Sequence, residues 1–171
     1  VAVLGTNDTI ASTGPLPDVF IAKFRGNGNV TWVKTGSGLG SDYGNGIGLD
    51  AAGNCYVSGS FEQSITFGGF TLSANNASND IFVAKLDGSG NFLSANSAGG
   101  SAVDVVSALD VDQSGNCYVT GTFNSPEIIF GNDTLHATNT GVDAFISKFD
   151  ASGVALWGRA ASGPGNQEPS G

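Results

Sequence analysis

The chain has 171 residues, 40% of them hydrophobic, and a net charge of −9 from 6 basic against 15 acidic residues. So few cations cannot neutralise a run of phosphates, which excludes nucleic-acid binding and docking on anionic lipid. No apolar run approaches the ~18 residues that span a bilayer, so no membrane insertion is expected.

Glycine punctuates the sequence. Its 27 copies carry no Gly-X-Y period and separate short runs rich in Val, Ile and Phe, as short strands joined by tight turns require. In chain order the first run is VAVLGT, from Val1. DVFIAKF (18–24) and GNGNVTW (26–32) follow. The next stretch holds four runs: GIGLD (46–50), CYVSGSF (55–61), DIFVAKL (80–86) and NFLSAN (91–96). A longer connection, EQSITFGGFTLSANNASN, stands between the second and third of these and predicts a small outer excursion. Then come CYVTGTF (117–123), DAFISKF (143–149) and ASGVALW (151–157), before the polar tail GRAASGPGNQEPSG. The turn sequences DAAGN, DGSGN and DQSGN place Asp first and Gly-Asn last, which predicts type I turns closed by a glycine bulge.

These runs are copies of one another. Asp42, Asp50, Gly53, Asn54, Cys55, Tyr56, Val57, Gly59 and Phe61 all recur 62 residues later (115 − 53 for the glycine). A period this long marks a repeat architecture. The predicted fold is all-β: about three four-stranded antiparallel propeller-type blades, with no helical periodicity. The units are 1–40, 41–102 and 103–160, with 161–171 as a flexible tail or linker. Aligning VAVLGT with CYVSGSF sets Val1 opposite Cys55, so the first blade is expected to lack its innermost strand. The strand inventory is then three, four and four, and Trp157 to Ser162 is the expected donor if a neighbouring chain's tail completes blade one.

The phrases D-x-F-I/V-A/S-K-F/L and D-x-x-G-N-C-Y-V-S/T-G-S/T-F resemble the SBBP-type β-propeller repeat family, over nearly the whole chain to about Trp157. The resemblance implies an extracellular or cell-surface, modular and mostly non-enzymatic protein, and it brings no catalytic motif.

Few residues carry candidate chemistry. Cys55 and Cys117 occupy matching positions in neighbouring units, too far apart for a disulfide, and read as buried, reduced small hydrophobes. DVDQSGN offers Asp110, Asp112 and Ser114 at the alternate spacing of a calcium loop, but Gly121 stands where the closing Glu would be. A plain hairpin turn is the favoured reading, and calcium is the one cofactor left open. His136 is the single histidine and has no nucleophile motif beside it. Lys23, Lys85 and Lys148 recur five residues after Asp18, Asp80 and Asp143, which predicts a structural role: lysine stems packed at blade edges with their heads in water, and Asp capping turns or pairing across blades. Asn7, Asn29, Asn76 and Asn132 head glycosylation sequons. Trp32 and Trp157, in matching fourth-strand positions, are either a ligand platform or blade-packing residues.

The expected function is a non-enzymatic structural or adhesive propeller module that assembles with other copies into a ring or filament. The alternative is a carbohydrate- or protein-binding excerpt of a longer propeller, with a surface glycan or protein as partner.

Overall fold

A computed structural model describes residues 15–138 and 141–169 (without the Ala77 side chain), together with the backbone of two short strands before them. The described residues form sixteen strands and one 3₁₀ turn at Asn75–Ala77. The chain is all-β and is built from antiparallel sheets.

The middle sheet is a four-strand meander: β5 (Asp42–Leu49), β6 (Cys55–Glu62), β9 (Asn79–Leu86) and β10 (Phe92–Ala98), in the order β5-β6-β9-β10. The last sheet repeats that order with β11 (Asp104–Val111), β12 (Cys117–Phe123), β15 (Asp143–Phe149) and β16 (Ala155–Ala161). Between its two central strands each sheet sends out a hairpin, β7 (Ser64–Phe67) with β8 (Phe70–Ser73), and β13 (Glu127–Phe130) with β14 (Asp133–His136). The leading sheet has only two strands of its own, β3 (Val19–Phe24) and β4 (Val30–Gly38). The β7–β8 hairpin completes it, because β7 pairs with the far end of β4 through Gly36, Ser37 and Gly38. A sheet is therefore shared between the stretches 1–40 and 41–102.

The first-sheet inventory needs correction. β1 (Ala2–Val3) pairs with β2 (Thr9–Ile10) in a two-stranded sheet of its own, not with β3. Ala2 and Val3 of VAVLGT are therefore not in the second strand of the first sheet. Among the described residues β3 has no neighbour on its inner side, so neither of the two inner strands found in the other sheets is seen there. Likewise Trp157 is not free to be donated: it lies in β16, registered against Lys148 of β15. The tail is fastened as well, with the Gln167 N–H donating to the Val142 carbonyl (2.8 Å) and the Val142 N–H to Asn166 Oδ1 (3.2 Å).

Turn chemistry explains the tight connections. At Arg25, Asp50, Asp87, Asp112 and Asp150 the same two bonds close the turn, from the first residue's N–H to the fifth's carbonyl and from the fourth's N–H to the first's carbonyl, at 2.8–3.0 Å. The fourth residue is always glycine, at φ between +80° and +90°, where a side chain would be strained. The Asp carboxylates bind the turn from inside. Asp112 Oδ1 accepts from the Ser114 and Asn116 N–H groups (both 2.9 Å) and Oδ2 from Asn116 Nδ2 (2.7 Å). The Asn91 and Asn116 side chains first, then backbone N–H groups, hold Asp87 and Asp112 below the usual carboxylate range.

Burial records how many neighbours each sheet has. Every residue of β6 from Cys55 to Phe61 is buried, because alternate side chains enter different cores. Cys55, Val57 and Phe61 join Val19, Ile21 and Phe67 on one side; Tyr56 joins Val119, Phe123 and Phe145 on the other. β12 alternates between buried and half-buried, since only one face of the last sheet is covered. No sheet has a core of its own. Each core is a seam between two sheets.

Candidate functional site

The seams carry recurring polar clasps, one at each end. At the end formed by the tight turns the clasp is a lysine, a tyrosine and two carbonyls. Lys85 and Tyr56 are cross-strand partners on β9 and β6, which puts the ammonium 4.7 Å from the ring centroid. Lys85 Nζ donates to the Ala151 carbonyl of the next sheet at 2.7 Å and stands 3.7 Å from Asp50 Oδ2. The Tyr56 hydroxyl donates to the Gly115 carbonyl of the next sheet at 2.7 Å. Lys85 is therefore buried, not wetted as the sequence suggested: its charge is neutralised by oxygen on both sides of the seam. One repeat earlier the clasp is half built. Lys23 Nζ donates to the Gly88 carbonyl (2.9 Å), as does Trp32 Nε1 (3.2 Å), but no tyrosine stands over Lys23 among the described residues.

At the opposite end the seam holds carboxylates. Asp42 and Asp80 both register against Phe61, and Asp104 and Asp143 both against Phe123; all four are buried. Asp80 is neighbour to Asp104 across the second seam, as Asp18 is to Asp42 across the first. Asp104 is fully bonded: Oδ2 accepts from the Gly100 N–H and Ser125 hydroxyl (both 2.8 Å), Oδ1 from the Asn124 and Ser125 N–H groups. Asp80 binds Asn75 and Ser78 of the preceding loop. Neither oxygen of Asp42 accepts a hydrogen bond of good geometry, the Glu62 N–H being a nearby donor. Burial, reinforced by Asp18 and Glu62, pushes Asp42 up to about 7. Burial, with Asp104 adding to it, pushes Asp80 to about 6, and burial also raises Asp104. Asp42 and Asp80 are carboxyls poised to be neutral in mildly acidic water.

Glycine sets how closely the sheets approach. A Cβ on Gly46 or Gly48 would come within 2.7 and 2.8 Å of Leu109 and Val111 of β11, so β5 carries glycine where β11 lies on it. Ile47 and Leu49 point away from β11 and stay 61% and 66% exposed, facing the space beside β3. A groove of about 390 Å³ lies there, lined by Lys23, Trp32, Ile47, Leu49, Gly53 and Gly88 among others. On the far side of the molecule Tyr118, Thr120, Ile146, Trp157 and Arg159 form the open face of the last sheet, with Gln167 and Glu168 at its margin.

The singled-out residues fall as follows. Asp110, Asp112 and Ser114 do not converge: Asp112 is committed to its own turn, while the Asp110 carboxylate accepts from the Val111 N–H at 2.9 Å on the surface. Among the described residues no three His, Cys, Asp or Glu side chains are grouped to hold a metal ion. Cys55 and Cys117 are free and buried, with burial pushing the thiols to about 11 and about 12. His136 is exposed and lies 3.2 Å from Glu127 across the β13–β14 hairpin. Asn29, Asn76 and Asn132 are exposed; Asn7 lies outside the described residues. Trp32 is half-buried against the next sheet's turn, where a Cβ on Gly90 would come within 2.8 Å of the indole. Trp157, its counterpart, has no such turn over it among the described residues and sits edge-on to Tyr118 (6.4 Å) beneath Arg159 (5.9 Å).

Sequence reasoning expected an outer excursion where β7 and β8 lie, but not that β7 would pair with β4 of the preceding sheet, and it missed the clasp. The hairpins had a signal, since SITFGGFTLSA and EIIFGNDTLHA share Ile, Phe, Gly, Thr, Leu and Ala in register. The clasp had the recurring Lys and Tyr, but nothing in sequence puts one over the other until β6 and β9 are known to be neighbours.

No protein-family model matches the chain. The chain is similar, at 26% identity, to an uncharacterized WD repeat-containing protein of Acanthamoeba polyphaga mimivirus. That match covers 82% of this chain and 12% of the relative, so the chain spans a small part of the length of the protein it matches. A crystal structure of a protein of unknown function from Bacteroides caccae aligns over 85% of this chain and 94% of its own, at 7% identity and a TM-score of 0.21, and carries no argument about fold. The class defined here is an all-β repeat protein made of four-stranded antiparallel sheets, with a distant WD-repeat relative.

Proposed function

We propose that the chain is a propeller-type blade module with a structural or adhesive role, and that its open faces join further blades of the same kind carried by other copies. The first blade contributes its two outer strands, and the second and third contribute four each. The carrying observation is the repetition of the seam. Lys23 to Gly88 and Lys85 to Ala151 are the same contact one repeat apart, so the fold contains one interface used twice and offered again at both ends. Such a contact is head to tail, which closes into a ring or runs on as a filament. No catalytic step is assigned. The resemblance to the SBBP-type repeat supports placement outside the cell or at its surface.

A second reading, a carbohydrate- or protein-binding propeller, is favoured by one feature, the uncovered Tyr118–Trp157–Arg159 cluster. A glycan array of the chain against its Trp157→Ala and Trp32→Ala variants separates the two: loss of a specific signal with Trp157→Ala alone supports a ligand platform. The assembly reading is tested by light scattering across a dilution series. Masses at multiples of the chain, falling on dilution, are expected. A folded monomer at every concentration, with no binding of a dye for exposed apolar surface, overturns it.

A further inference from the structure

The two seams show what fits beside β3. In the second blade β6 lies along β9 with Tyr56 opposite Lys85 and Gly59 opposite Phe82. In the third β12 lies along β15 with Tyr118 opposite Lys148 and Gly121 opposite Phe145. β3 carries Lys23 and Phe20 in the same places (85 − 23 and 82 − 20 both give 62), and no strand runs along its inner side among the described residues.

We propose that the groove beside β3 is a socket for a tyrosine-bearing β-strand of the pattern Cys-Tyr-Val-Ser/Thr-Gly-Ser/Thr-Phe, added antiparallel to β3 with its tyrosine over Lys23. This rests on reading the chain as a row of blades and names the partner of its leading face.

Three features of the groove specify that occupant. First, the cation is already in position: Lys23 Nζ is held by the Gly88 carbonyl at 2.9 Å, as Lys85 is by Ala151 at 2.7 Å, and Lys85 and Lys148 stand 4.7 and 5.1 Å from tyrosine ring centroids. Second, the hydroxyl has an acceptor. Tyr56 donates to the Gly115 carbonyl, whose counterpart one repeat earlier is that of Gly53 (115 − 53 = 62), and Gly53 lines the groove together with Lys23. Third, the phenylalanine needs a glycine. A Cβ on Gly59 would clash with the Tyr43 carbonyl and stand 2.8 Å from the Phe82 ring, and one on Gly121 would clash with the Val105 carbonyl and stand 2.7 Å from the Phe145 ring, so the position has no room for a side chain between the ring and the strand on its other side. Phe20, the counterpart, is 51% exposed. A hollow of about 230 Å³ bordered by Val19, Phe20 and Ile47 continues the groove along the same edge. Backbone pairing to β3 supplies the affinity of the added strand, and the tyrosine and glycine supply its selectivity.

The probe is a fluorescent peptide with the sequence of residues 53–62, Cys55→Ser to prevent oxidation, titrated with the full chain at a dilution where it is monomeric. Saturable anisotropy is expected. Tyr56→Phe in the peptide weakens binding about fivefold to tenfold, by loss of one hydrogen bond to a shielded carbonyl. Gly59→Val in the peptide abolishes binding, although valine raises β propensity and would strengthen any unspecific strand association. Lys23→Met in the chain, checked for its β circular dichroism, weakens the parent peptide and leaves the Gly59→Val peptide without saturable binding. Absence of saturable binding, or a Gly59→Val peptide that binds as well as the parent, overturns the socket. If the chain assembles yet the peptide arms fail, the socket alone falls. If the peptide docks while the chain stays monomeric at every concentration, the assembly reading falls and the socket stands.

Discussion

Asp42→Asn tests the carboxylate end of the seam. Asp42 is raised from 3.8 to about 7, chiefly by burial, and neither of its oxygens accepts a hydrogen bond of good geometry. Its folded value lies above its unfolded one, so the fold holds the proton more tightly than the open chain. The stability this contributes is complete below the unfolded value and is lost as pH rises through about 7. The full preference for the neutral form is roughly 4 kcal/mol at 1.4 kcal/mol per tenfold change, and about 3 kcal/mol of it is recovered between pH 8 and pH 5. Asp80, at about 6, and Asp104, also raised, act in the same direction.

The assay is urea unfolding followed by tryptophan fluorescence, since Trp32 reports on the first seam. The parent chain should gain stability on acidification from pH 8 to pH 5, where most proteins are flat or lose it. Asp42→Asn should remove about 3 kcal/mol of that gain. The slope is the clean readout, because the cost of burying an amide without partners is the same at every pH in this window. Below about pH 4 the trend reverses, as Asp87, Asp112 and Asp150, all lowered, lose their turn-binding charge. Parallel pH profiles for parent and Asp42→Asn, or a parent that weakens steadily from pH 8 to pH 5, would refute the argument.

Gly46→Val drives a branched side chain into Leu109 and Ser58 and should cost about 2–4 kcal/mol in urea unfolding, while Gly26→Ala, with nothing within 4 Å, should stay within about 0.5 kcal/mol. A thiol reagent at pH 8 should label neither Cys55 nor Cys117 in the native chain, given thiols at about 11 and about 12, and should label both in denaturant; fast native labelling of either would contradict their burial. Asp112→Ala should lower stability by about 1–2 kcal/mol through loss of its turn bonds, and millimolar calcium should leave the unfolding midpoint of the parent unchanged. A calcium-dependent rise abolished by Asp112→Ala would restore the calcium reading.

Much of the strand and turn layout was legible because it depends on local chemistry. Asp-x-x-Gly-Asn dictates its own turn, and the Val, Ile and Phe runs dictate strands, so β6, β9, β12 and β15 fall almost where the copies of CYV and DxF stand. The first sheet was misread because VAVLGT has the composition of a second strand, while Ala2 and Val3 pair with Thr9 and Ile10, and pairing is decided by position in space. Lys85 shows the same limit. In one repeat it is a charged residue on a strand, best kept in water. With a second repeat behind it, the Ala151 carbonyl and the Tyr56 ring replace that water.

The matching tyrosines carry this one step further. Tyr56, with a blade behind it, is buried and gives its proton to that blade's Gly115 carbonyl at 2.7 Å. Tyr118, with no sheet behind it among the described residues, turns to Asp112 Oδ2 of its own turn at 3.4 Å and stays half-exposed beside Trp157. The same residue on the same strand thus makes a short bond across a seam or a long one within its own blade, according to its neighbour. The long Tyr118 bond satisfies the hydroxyl without fixing it, so the proposed stacking of further sheets on this face would find a donor free to turn to an incoming carbonyl.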